Sequence, residues 1–203
     1  MKKNKFSKNW IIKQKRDVYI KQSKIEGYRS RAAYKLQEIN NKFKIIKNGY
    51  NIVDLGAAPG SWSQFVSRNF KNSKIVSIDL KEMEKIENIY QIKGDFTDKL
   101  QQQKIIDFYG SKIDTVISDM AVNTTGNKNL DSIVTGELSI QALNFSTNIL
   151  KKQGGFVSKV FMGSSFNEIV IIAKKNFKEV NVFKPPASRK DSKESFIICK
   201  NLR

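Results

Sequence analysis

The chain has 203 residues, enough for one domain with a sizeable core, and its 37 Lys+Arg against 19 Asp+Glu give a net charge of +18, which favours a polyanionic partner. It contains no histidine, which excludes Ser-His-Asp and Cys-His catalysis and histidine-ligated metals. A single cysteine, Cys199, can form neither an intrachain disulfide nor a cysteine-rich zinc site, so we expect no metal and a reducing, intracellular setting.

The first segment, residues 1–28, shows no clean hydrophobic period and is strongly basic. Residues 1–31 hold eleven Lys and Arg and two acids, which is half of the net charge. Lysine outnumbers arginine 31 to 6, a bias that nucleotide composition alone can produce, but such a bias does not by itself concentrate charge. We therefore predict that residues 1–28 form a basic nucleic-acid-binding arm, with a short helix near residues 10–19, rather than a merely solvated segment.

The sequence shows no signal for export or membrane insertion. No apolar run approaches the ~20 residues that span a bilayer, and the basic N-terminus lacks the apolar stretch of a secretory signal. We expect a cytoplasmic protein without membrane contact.

A helix follows the arm. Apolar residues recur at spacings of four, three and four, which predicts a helix that begins near Ser30, as N-cap, and ends near Asn48-Gly49. The residues of this apolar stripe are Ala32, Leu36, Ile39 and Phe43.

Beyond this helix, short apolar strands alternate with helical stretches. The predicted strands are residues 51–55, 74–79, 89–93, 113–118, 156–161, 180–183 and 196–199. The predicted helices are residues 61–70, 97–108, 131–151 and 164–177, with a Gly/Asn/Thr loop over 121–129. This alternation predicts a doubly wound α/β sheet, mostly parallel, with one antiparallel strand because no helix separates the last two. Ligands of such sheets bind at the carboxyl ends of the strands.

A glycine loop and a set of acids mark those strand ends. Gly56 and Gly60, which follow the first strand, let the backbone approach a ligand, although the dinucleotide fingerprint G-x-G-x-x-G is absent. Asp79, Asp95 and Asp119 follow the second, third and fourth strands. Each alone is more often a helix cap or a turn former. Together around a glycine loop they predict a nucleoside pocket with no phosphate requirement, because the loop carries no Lys or Arg.

Two further charged residues are candidates. Lys159 lies inside an apolar strand, where a lysine is costly to bury unless it is paired. It either faces solvent at a sheet edge or lies in a catalytic cleft. Glu194 precedes the last strand and, considered alone, is a surface acid.

Five motifs together resemble the FtsJ (RlmE) family of S-adenosylmethionine-dependent RNA 2′-O-ribose methyltransferases, over about residues 26–200. They are Tyr28-Arg-Ser-Arg-Ala-Ala-Tyr-Lys-Leu36, Asp54-Leu-Gly-Ala-Ala-Pro-Gly-Ser-Trp-Ser-Gln64, Ser118-Asp-Met-Ala121, Ser158-Lys-Val-Phe161 and the segment from Ser188-Arg to Ser192-Lys-Glu-Ser-Phe196. The resemblance implies the Rossmann-like seven-stranded class I methyltransferase sheet over residues 29–203, with helices on both faces. It further implies S-adenosylmethionine as cofactor and, as target, a uridine in the A-loop of large-subunit rRNA during late ribosome assembly.

The resemblance also implies site residues. The family's catalytic Lys-Asp-Lys-Glu tetrad falls by motif on Lys35, Asp119, Lys159 and Glu194. Its cofactor contacts fall on Gly60, Trp62, Asp79, Asp95 and Asp119, to which we add Gly56 from the same loop. The chain departs from the family pattern at Ser61, Val122 and Phe196, and none of these is a tetrad residue.

Lysine or a carboxylate must handle the proton of the ribose hydroxyl, because there is no histidine. Our hypothesis is that a neutral Lys159 is the base; the alternative is that a charged Lys159 orients the hydroxyl. The basic arm and the Arg29/Arg31 region are expected to hold the RNA backbone, and a monomer is the default. Other open functions are a tRNA anticodon-loop or mRNA-cap methyltransferase and a non-catalytic RNA-binding ribosome-assembly factor. An NAD-dependent oxidoreductase would need a different glycine pattern.

Overall fold

The computed structural model describes residues 17–121, 128–163 and 165–203. Most of the predicted basic arm and of its helix near residues 10–19, as well as Val122, lie outside the described residues, as do residues 122–127 of the predicted loop.

Within the described ranges the chain alternates between helices and strands. The helices are α1 (Val18–Ile25), α2 (Ala32–Phe43), α3 (Ser61–Asn69), α4 (Lys99–Tyr109), α5 (Lys128–Ile149) and α6 (Phe166–Asn176). The strands are β1 (Asn51–Leu55), β2 (Lys74–Asp79), β3 (Ile89–Lys93), β4 (Ile113–Ser118), β5 (Leu150–Phe161), β6 (Phe177–Phe183) and β7 (Glu194–Leu202). None of these helices is both long and apolar enough to cross a membrane.

The strands form one sheet in the order β3-β2-β1-β4-β5-β7-β6. Strands β1 to β5 pair in parallel, and β7 runs antiparallel to both of its neighbours. The predicted seven-stranded, mostly parallel Rossmann-like sheet is therefore confirmed. The strand order reverses between β1 and β4, the position at which sheets of this kind bind ligands.

Helices cover both faces of the sheet, as predicted. On one face α4, α5 and α6 bury Ile105, Phe145 and Ile169 against the sheet. On the other, α2 and α3 bury Leu36 and Phe65 among others. Strands β1, β2 and β4 are apolar along most of their length, so both faces of the sheet must be covered, and the two helix layers cover them.

Helix α2 ends at Phe43, earlier than the predicted end near Asn48-Gly49. The Asn40 side chain explains the difference, because its Oδ1 accepts a hydrogen bond from Ile46 N (2.8 Å) and its Nδ2 donates to Ile46 O (3.3 Å). These bonds hold an irregular segment whose Ile45 and Ile46 are buried. At the other end, the Ser30 hydroxyl accepts a hydrogen bond from Ala32 N (3.2 Å), although Arg31 occupies the cap position.

The last strands are longer than predicted. Strand β5 begins at Leu150, leaves the ladder and rejoins it at Gly155, so its first residues carry no apolar signal. Helix α5 accordingly spans Lys128–Ile149 rather than 131–151. Strand β6 begins at Phe177 rather than residue 180, and β7 spans Glu194–Leu202 rather than 196–199, because polar residues at the strand ends pair along the β6–β7 ladder.

The described part of the N-terminal segment packs on the domain. Asp17 caps α1 by accepting hydrogen bonds from Tyr19 N and Ile20 N. Tyr19 OH donates to Glu38 on α2 (3.1 Å), and its ring lies 5.5 Å from that of Tyr34. Helix α1 spans Val18–Ile25 and rests against α2, and most of the helix predicted near residues 10–19 falls outside the described residues. The assignment of residues 1–28 to RNA binding remains a prediction.

Candidate active site

Four elements bring the predicted tetrad together. Lys35 lies on α2, Asp119 directly follows β4, Lys159 lies in β5, and Glu194 is the first residue of β7. Ser118 pairs with Ser158, which places Asp119 beside Lys159. The antiparallel register pairs Phe161 with Glu194, which returns that carboxylate to the same end of the sheet.

The four side chains form a continuous line of alternating charge. Lys159 Nζ lies 3.0 Å from Asp119 Oδ1 and donates a hydrogen bond to the Asp119 carbonyl oxygen (2.6 Å). Lys35 Nζ lies 3.6 Å from Asp119 Oδ2 and 3.0 Å and 3.1 Å from the two oxygens of Glu194. Asp119 thus bridges both lysines.

The cluster is largely removed from solvent. Lys159 is only 7% exposed and lies on an interior strand, so it does not face solvent at a sheet edge. The Glu194 side chain is 12% exposed, so it is not the surface acid that its sequence context suggests. Burial raises the pKa of the Asp119 carboxyl, but Lys159 and Lys35 outweigh it and hold this pKa below its usual range. Asp119 is therefore held as an anion beside the two lysines.

Next to the cluster, a cavity of about 500 Å³ opens at the carboxyl ends of β1, β2, β3 and β4. Five predicted residues line it: Gly56, Asp79, Asp95, Asp119 and Lys159. Apolar side chains form much of the remaining wall, namely Ile78, Leu80, Phe96, Met120 and Leu138. Its volume lies within the usual range for small-molecule sites, roughly 300–1,000 Å³.

Local hydrogen bonds fix the acids of the cavity. Asp79 accepts from Ala58 N at Oδ2 (2.9 Å) and from Lys81 N at Oδ1 (2.7 Å), which ties it to the glycine loop. Asp95 accepts from Thr97 N and Thr97 Oγ1, both at Oδ1. A Cβ at Gly56 would lie 1.9 Å from Met120 Cγ, so the glycine lets the residue after Asp119 pack across the loop.

Two of the predicted cofactor residues lie elsewhere. Gly60 is the N-cap residue of α3, and Trp62 lies in its first turn. Trp62 is 3% exposed; its Nε1 donates to Ala32 O (2.8 Å) and its ring packs 5.7 Å from that of Phe196. Neither Gly60 nor Trp62 is among the described residues that line the cavity. In this structure Trp62 instead packs against the first turn of α2, the helix that carries Lys35.

The sequence analysis assigned no role to Asp54, an acid at the end of the first strand that is buried beneath the loop. Asp54, at 1% exposure, accepts a hydrogen bond from Ser63 Oγ (2.6 Å), whose oxygen also lies 2.5 Å from Ser77 Oγ. Burial raises the pKa of Asp54 to about 7, with smaller contributions from Asp119 and Asp79 and an opposing one from Ser63. The position of an acid inside an apolar strand was the available signal.

Arg29 and Arg31, whose region is predicted to hold RNA, also have partners within the protein. Arg29 donates to the carbonyl oxygens of Pro59 (2.9 Å), Glu84 (2.9 Å) and Lys85 (3.1 Å). It therefore joins the glycine loop to the connection between β2 and β3. Arg31 contacts Asp17 and the Ala187 carbonyl oxygen.

A second α2 residue contacts the segment before Glu194. Glu38 accepts a hydrogen bond from Ala187 N (2.8 Å) through Oε2, while its Oε1 accepts one from Tyr19. Together with the Arg31 contact, this fixes the chain ahead of β7 to both α1 and α2. Within the described ranges, no group of three or more Cys, Asp or Glu side chains is placed to hold a metal ion.

Comparison with known proteins settles the family. The profile of the family described as FtsJ-like methyltransferase matches residues 28–202. The chain belongs to the FtsJ-like methyltransferase family. It is 66% identical, over the full length of both chains, to a Pelagibacter ubique protein named ribosomal RNA large subunit methyltransferase E. A Rickettsia akari protein of the same name is 44% identical, with 97% of this chain and 89% of the relative covered.

Solved structures agree with membership of the FtsJ-like family. A Plasmodium falciparum protein assigned as a ribosomal RNA methyltransferase superposes with a TM-score of 0.76 at 34% identity, covering 86% of this chain and 98% of its own. A fibrillarin/Nop5p complex matches with a TM-score of 0.59 at 19% identity, covering 83% of this chain and 81% of the other, which shows a shared fold.

Proposed function

We propose that this protein transfers a methyl group from S-adenosylmethionine to a ribose 2′-hydroxyl of large-subunit rRNA. The proposed target is a uridine of the A-loop, and the proposed setting is late ribosome assembly in the cytoplasm. The observation that carries the proposal is the buried Lys35–Asp119–Lys159–Glu194 cluster at the edge of the cavity. The names of the most similar relatives support large-subunit rRNA over tRNA or an mRNA cap as substrate.

The residues of the cavity fit S-adenosylmethionine. Asp79 and Asp95 offer carboxylate oxygens, which accept hydrogen bonds from ribose hydroxyls and an adenine amino group. Phe96, Ile78 and Met120 offer the apolar walls that a flat base needs. Three acids in one lining also suit a ligand that carries a sulfonium and an ammonium charge. When bound, S-adenosylmethionine supplies a methyl group on a positively charged sulfur, ready for in-line displacement.

The tetrad would position the attacking hydroxyl. Lys159 donates a hydrogen bond to the Asp119 carbonyl oxygen and lies 3.0 Å from Asp119 Oδ1, surroundings that favour an ammonium group and that leave donors for the ribose oxygen. We therefore propose that Lys159 orients the hydroxyl as a cation, which is the second of its two possible roles. Positioning of this kind can supply much of a barrier reduction.

The other members of the tetrad would set the charge around Lys159. Asp119 holds both lysines in place, and Glu194 fixes Lys35 through both of its oxygens. In this arrangement the proton of the hydroxyl leaves late in the reaction, to solvent.

A non-catalytic assembly factor with the same fold is the main alternative. The complete tetrad argues against it, because an RNA-binding protein has no need for a buried line of four charges, whose desolvation is costly. Calorimetry with S-adenosylmethionine separates the two functions, since an assembly factor of this kind would not bind it.

Mapping of 2′-O-methyl groups on large-subunit rRNA tests the proposal directly. Purified large subunits that lack the modification are incubated with the protein and S-adenosylmethionine, and each ribose methyl group is located by mass spectrometry. We expect one new methyl group, on a uridine of the A-loop. Methylation at another nucleotide would overturn the target, and none at all would overturn the activity.

A further inference from the structure

A second cavity, of about 530 Å³, lies at the edge of the sheet opposite the tetrad. The segment after α2, the first residues of β4 and β5 and the end of β7 surround it. Asp114 in strand β4 lines this cavity and Asp119 lies five residues further along, so roughly 17 Å of sheet separates the two. This cavity cannot belong to the cofactor site.

Lysine dominates the lining of this basal cavity. Five of its twelve lining residues are lysines: Lys44, Lys47, Lys151, Lys152 and Lys200. The overall share of lysine, 31 of 203 residues, would place about two there, so composition alone does not explain the cluster. The lining contains one acid, Asp114, and its two oxygens are already engaged by Lys151 Nζ (2.7 Å) and Asn51 N (2.9 Å).

Three of these lysines have uncompensated charge. Lys200 lies 3.7 Å from Glu179, but the ion pairs within the described residues include none for Lys44, Lys47 or Lys152. Each of the three is exposed. The cavity is therefore strongly positive and open to an anion.

The local backbone presents the lysines outward. Lys44 adopts the left-handed conformation (φ 53°), where glycine or asparagine would be less strained, and this turn ends α2. Lys151 and Lys152 lie where β5 leaves the ladder between Leu150 and Gly155. A Cβ at Gly155 would lie 2.4 Å from Ile45 Cδ1. The glycine therefore lets the unpaired start of β5 pack tightly against the segment between α2 and β1.

We propose that the basal cavity is a second RNA-backbone site, which binds phosphates of the rRNA substrate at a distance from the methylated ribose. This proposal rests on the proposed function for the identity of the RNA. A lysine ammonium is a point charge on a flexible side chain, unlike the planar guanidinium of arginine. A cluster of lysines is therefore better suited to the successive phosphates of a polymer than to one small anion. Half-buried Tyr50 adds an aromatic side chain on which a base can stack.

Salt-dependent RNA binding tests the site. The double variant Lys44→Gln/Lys152→Gln is compared with the unmodified protein on two probes, a structured domain of large-subunit rRNA and a short single-stranded oligonucleotide that carries the target. Loss of two contacts should reduce the magnitude of the log–log salt slope for the structured RNA by about 1.4, and affinity roughly tenfold at physiological salt. Affinity for the oligonucleotide should not change, because it cannot reach around the sheet.

The matched control is Lys104→Gln/Lys175→Gln, which removes the same charge from exposed positions on α4 and α6. It should leave both affinities unchanged. An unaltered salt slope for the cavity variant, an equal loss in the control or an equal loss on the oligonucleotide would each overturn the proposal. Binding is measured without S-adenosylmethionine, so a protein that proved unable to methylate would still give a clear answer here.

Discussion

At the scale of single residues, the site depends on how burial and charge set the protonation of two aspartates. Asp54 and Asp119 are both buried at the ends of adjacent strands, β1 and β4. The two lysines keep the pKa of Asp119 below its usual range. Asp54 is hydrogen-bonded to Ser63 and has no lysine beside it among the described ion pairs, so burial raises its pKa to about 7. One aspartate is thus held as an anion, and the other is largely protonated below neutral pH.

The raised pKa of Asp54 should appear in the pH dependence of stability. The folded state holds the Asp54 proton more tightly than the unfolded chain does. The contribution of Asp54 to the free energy of unfolding is therefore fully present below about pH 4 and is lost as pH rises through about 7. Asp54→Asn cannot ionise, so its stability should not fall in this window. The difference between the two proteins in free energy of unfolding should change by an amount on the order of 4 kcal/mol.

Urea unfolding at a series of pH values measures this difference. Asp107→Asn, which alters an exposed aspartate on α4, is the control and should follow the unmodified protein. Asp119 contributes in the opposite sense, but only below its ordinary pKa of 3.8, because its pKa is lowered. Identical pH curves for Asp54→Asn and the unmodified protein would show that Asp54 ionises normally.

Substitution of Lys159 distinguishes its role in orientation from a role as base. Lys159→Ala should reduce methyl transfer by roughly 10²-fold, the loss expected when the attacking hydroxyl is no longer held in place, with S-adenosylmethionine binding near normal. Lys159→Arg keeps a cationic donor that does not deprotonate, so it should recover part of the activity if Lys159 orients the hydroxyl.

Single-turnover rates and calorimetry give the two readouts for Lys159. Lys104→Ala, an exposed lysine on α4, serves as the control. An arginine variant as inactive as the alanine variant would favour proton abstraction by a neutral lysine. Full activity of Lys159→Ala would remove the residue from the mechanism.

At the scale of elements, Arg29 links two segments that shape the proposed cofactor cavity. Its guanidinium group donates to carbonyl oxygens of the glycine loop and of the β2–β3 connection. That connection contributes Leu80 and Lys81 to the cavity wall. We therefore propose that Arg29 positions the cofactor end of the site, in addition to any contact that its region makes with RNA.

Loss of this link should weaken cofactor binding more than turnover. Arg29→Met removes three charge-assisted hydrogen bonds, and a net loss of about 1.4 kcal/mol would raise KM for S-adenosylmethionine tenfold with kcat little changed. Arg68→Met is a matched control, because Arg68 also donates to two backbone carbonyls, of Glu26 and Gly27, but not to the β2–β3 connection. Steady-state kinetics measure the split, and an equal rise in KM for both variants would contradict the assignment.

The elements also show what the sequence could and could not predict. Strands β1, β2, β3 and β4 match their predicted bounds. Continuous apolar runs mark β1, β2 and β4, which are largely buried, whereas β3 is a partly exposed edge strand. The end of α2 was missed, because the Asn40 side chain that terminates it bonds to a residue six positions away. The start of β5 was missed because its first residues leave the ladder.

The candidate site shows the same division. The family resemblance assigned the four tetrad residues, and the sheet register brings them within ion-pair distance. The packing role of Trp62 and the buried partners of Asp54 and Arg29 depend on contacts between residues far apart in the chain. No local pattern encodes such contacts.

At the scale of the whole molecule, the net charge of +18 should govern how the enzyme associates with RNA. The substrate that we propose is part of a large polyanion, so long-range attraction should set the rate and salt dependence of binding. Residues 2–16 carry seven of the basic residues, directly ahead of Asp17, which caps α1 and pairs with Arg31. The arm can therefore be altered without disturbing those contacts.

Removal of residues 1–16 should flatten the salt dependence of RNA binding. If the arm and the rest of the protein contact about five phosphates of single-stranded RNA, the log–log slope should be about −3.5, and loss of the arm's share should bring it closer to zero. A second variant, with the same seven Lys and Arg changed to Gln, keeps the length of the arm and removes only its charge. Equal flattening in both variants is expected, because counterion release depends on charge rather than on chain length. If only the deletion weakened binding, the arm would act through contacts other than phosphates; if neither did, the basal cavity and the rest of the domain would carry the electrostatic attraction alone.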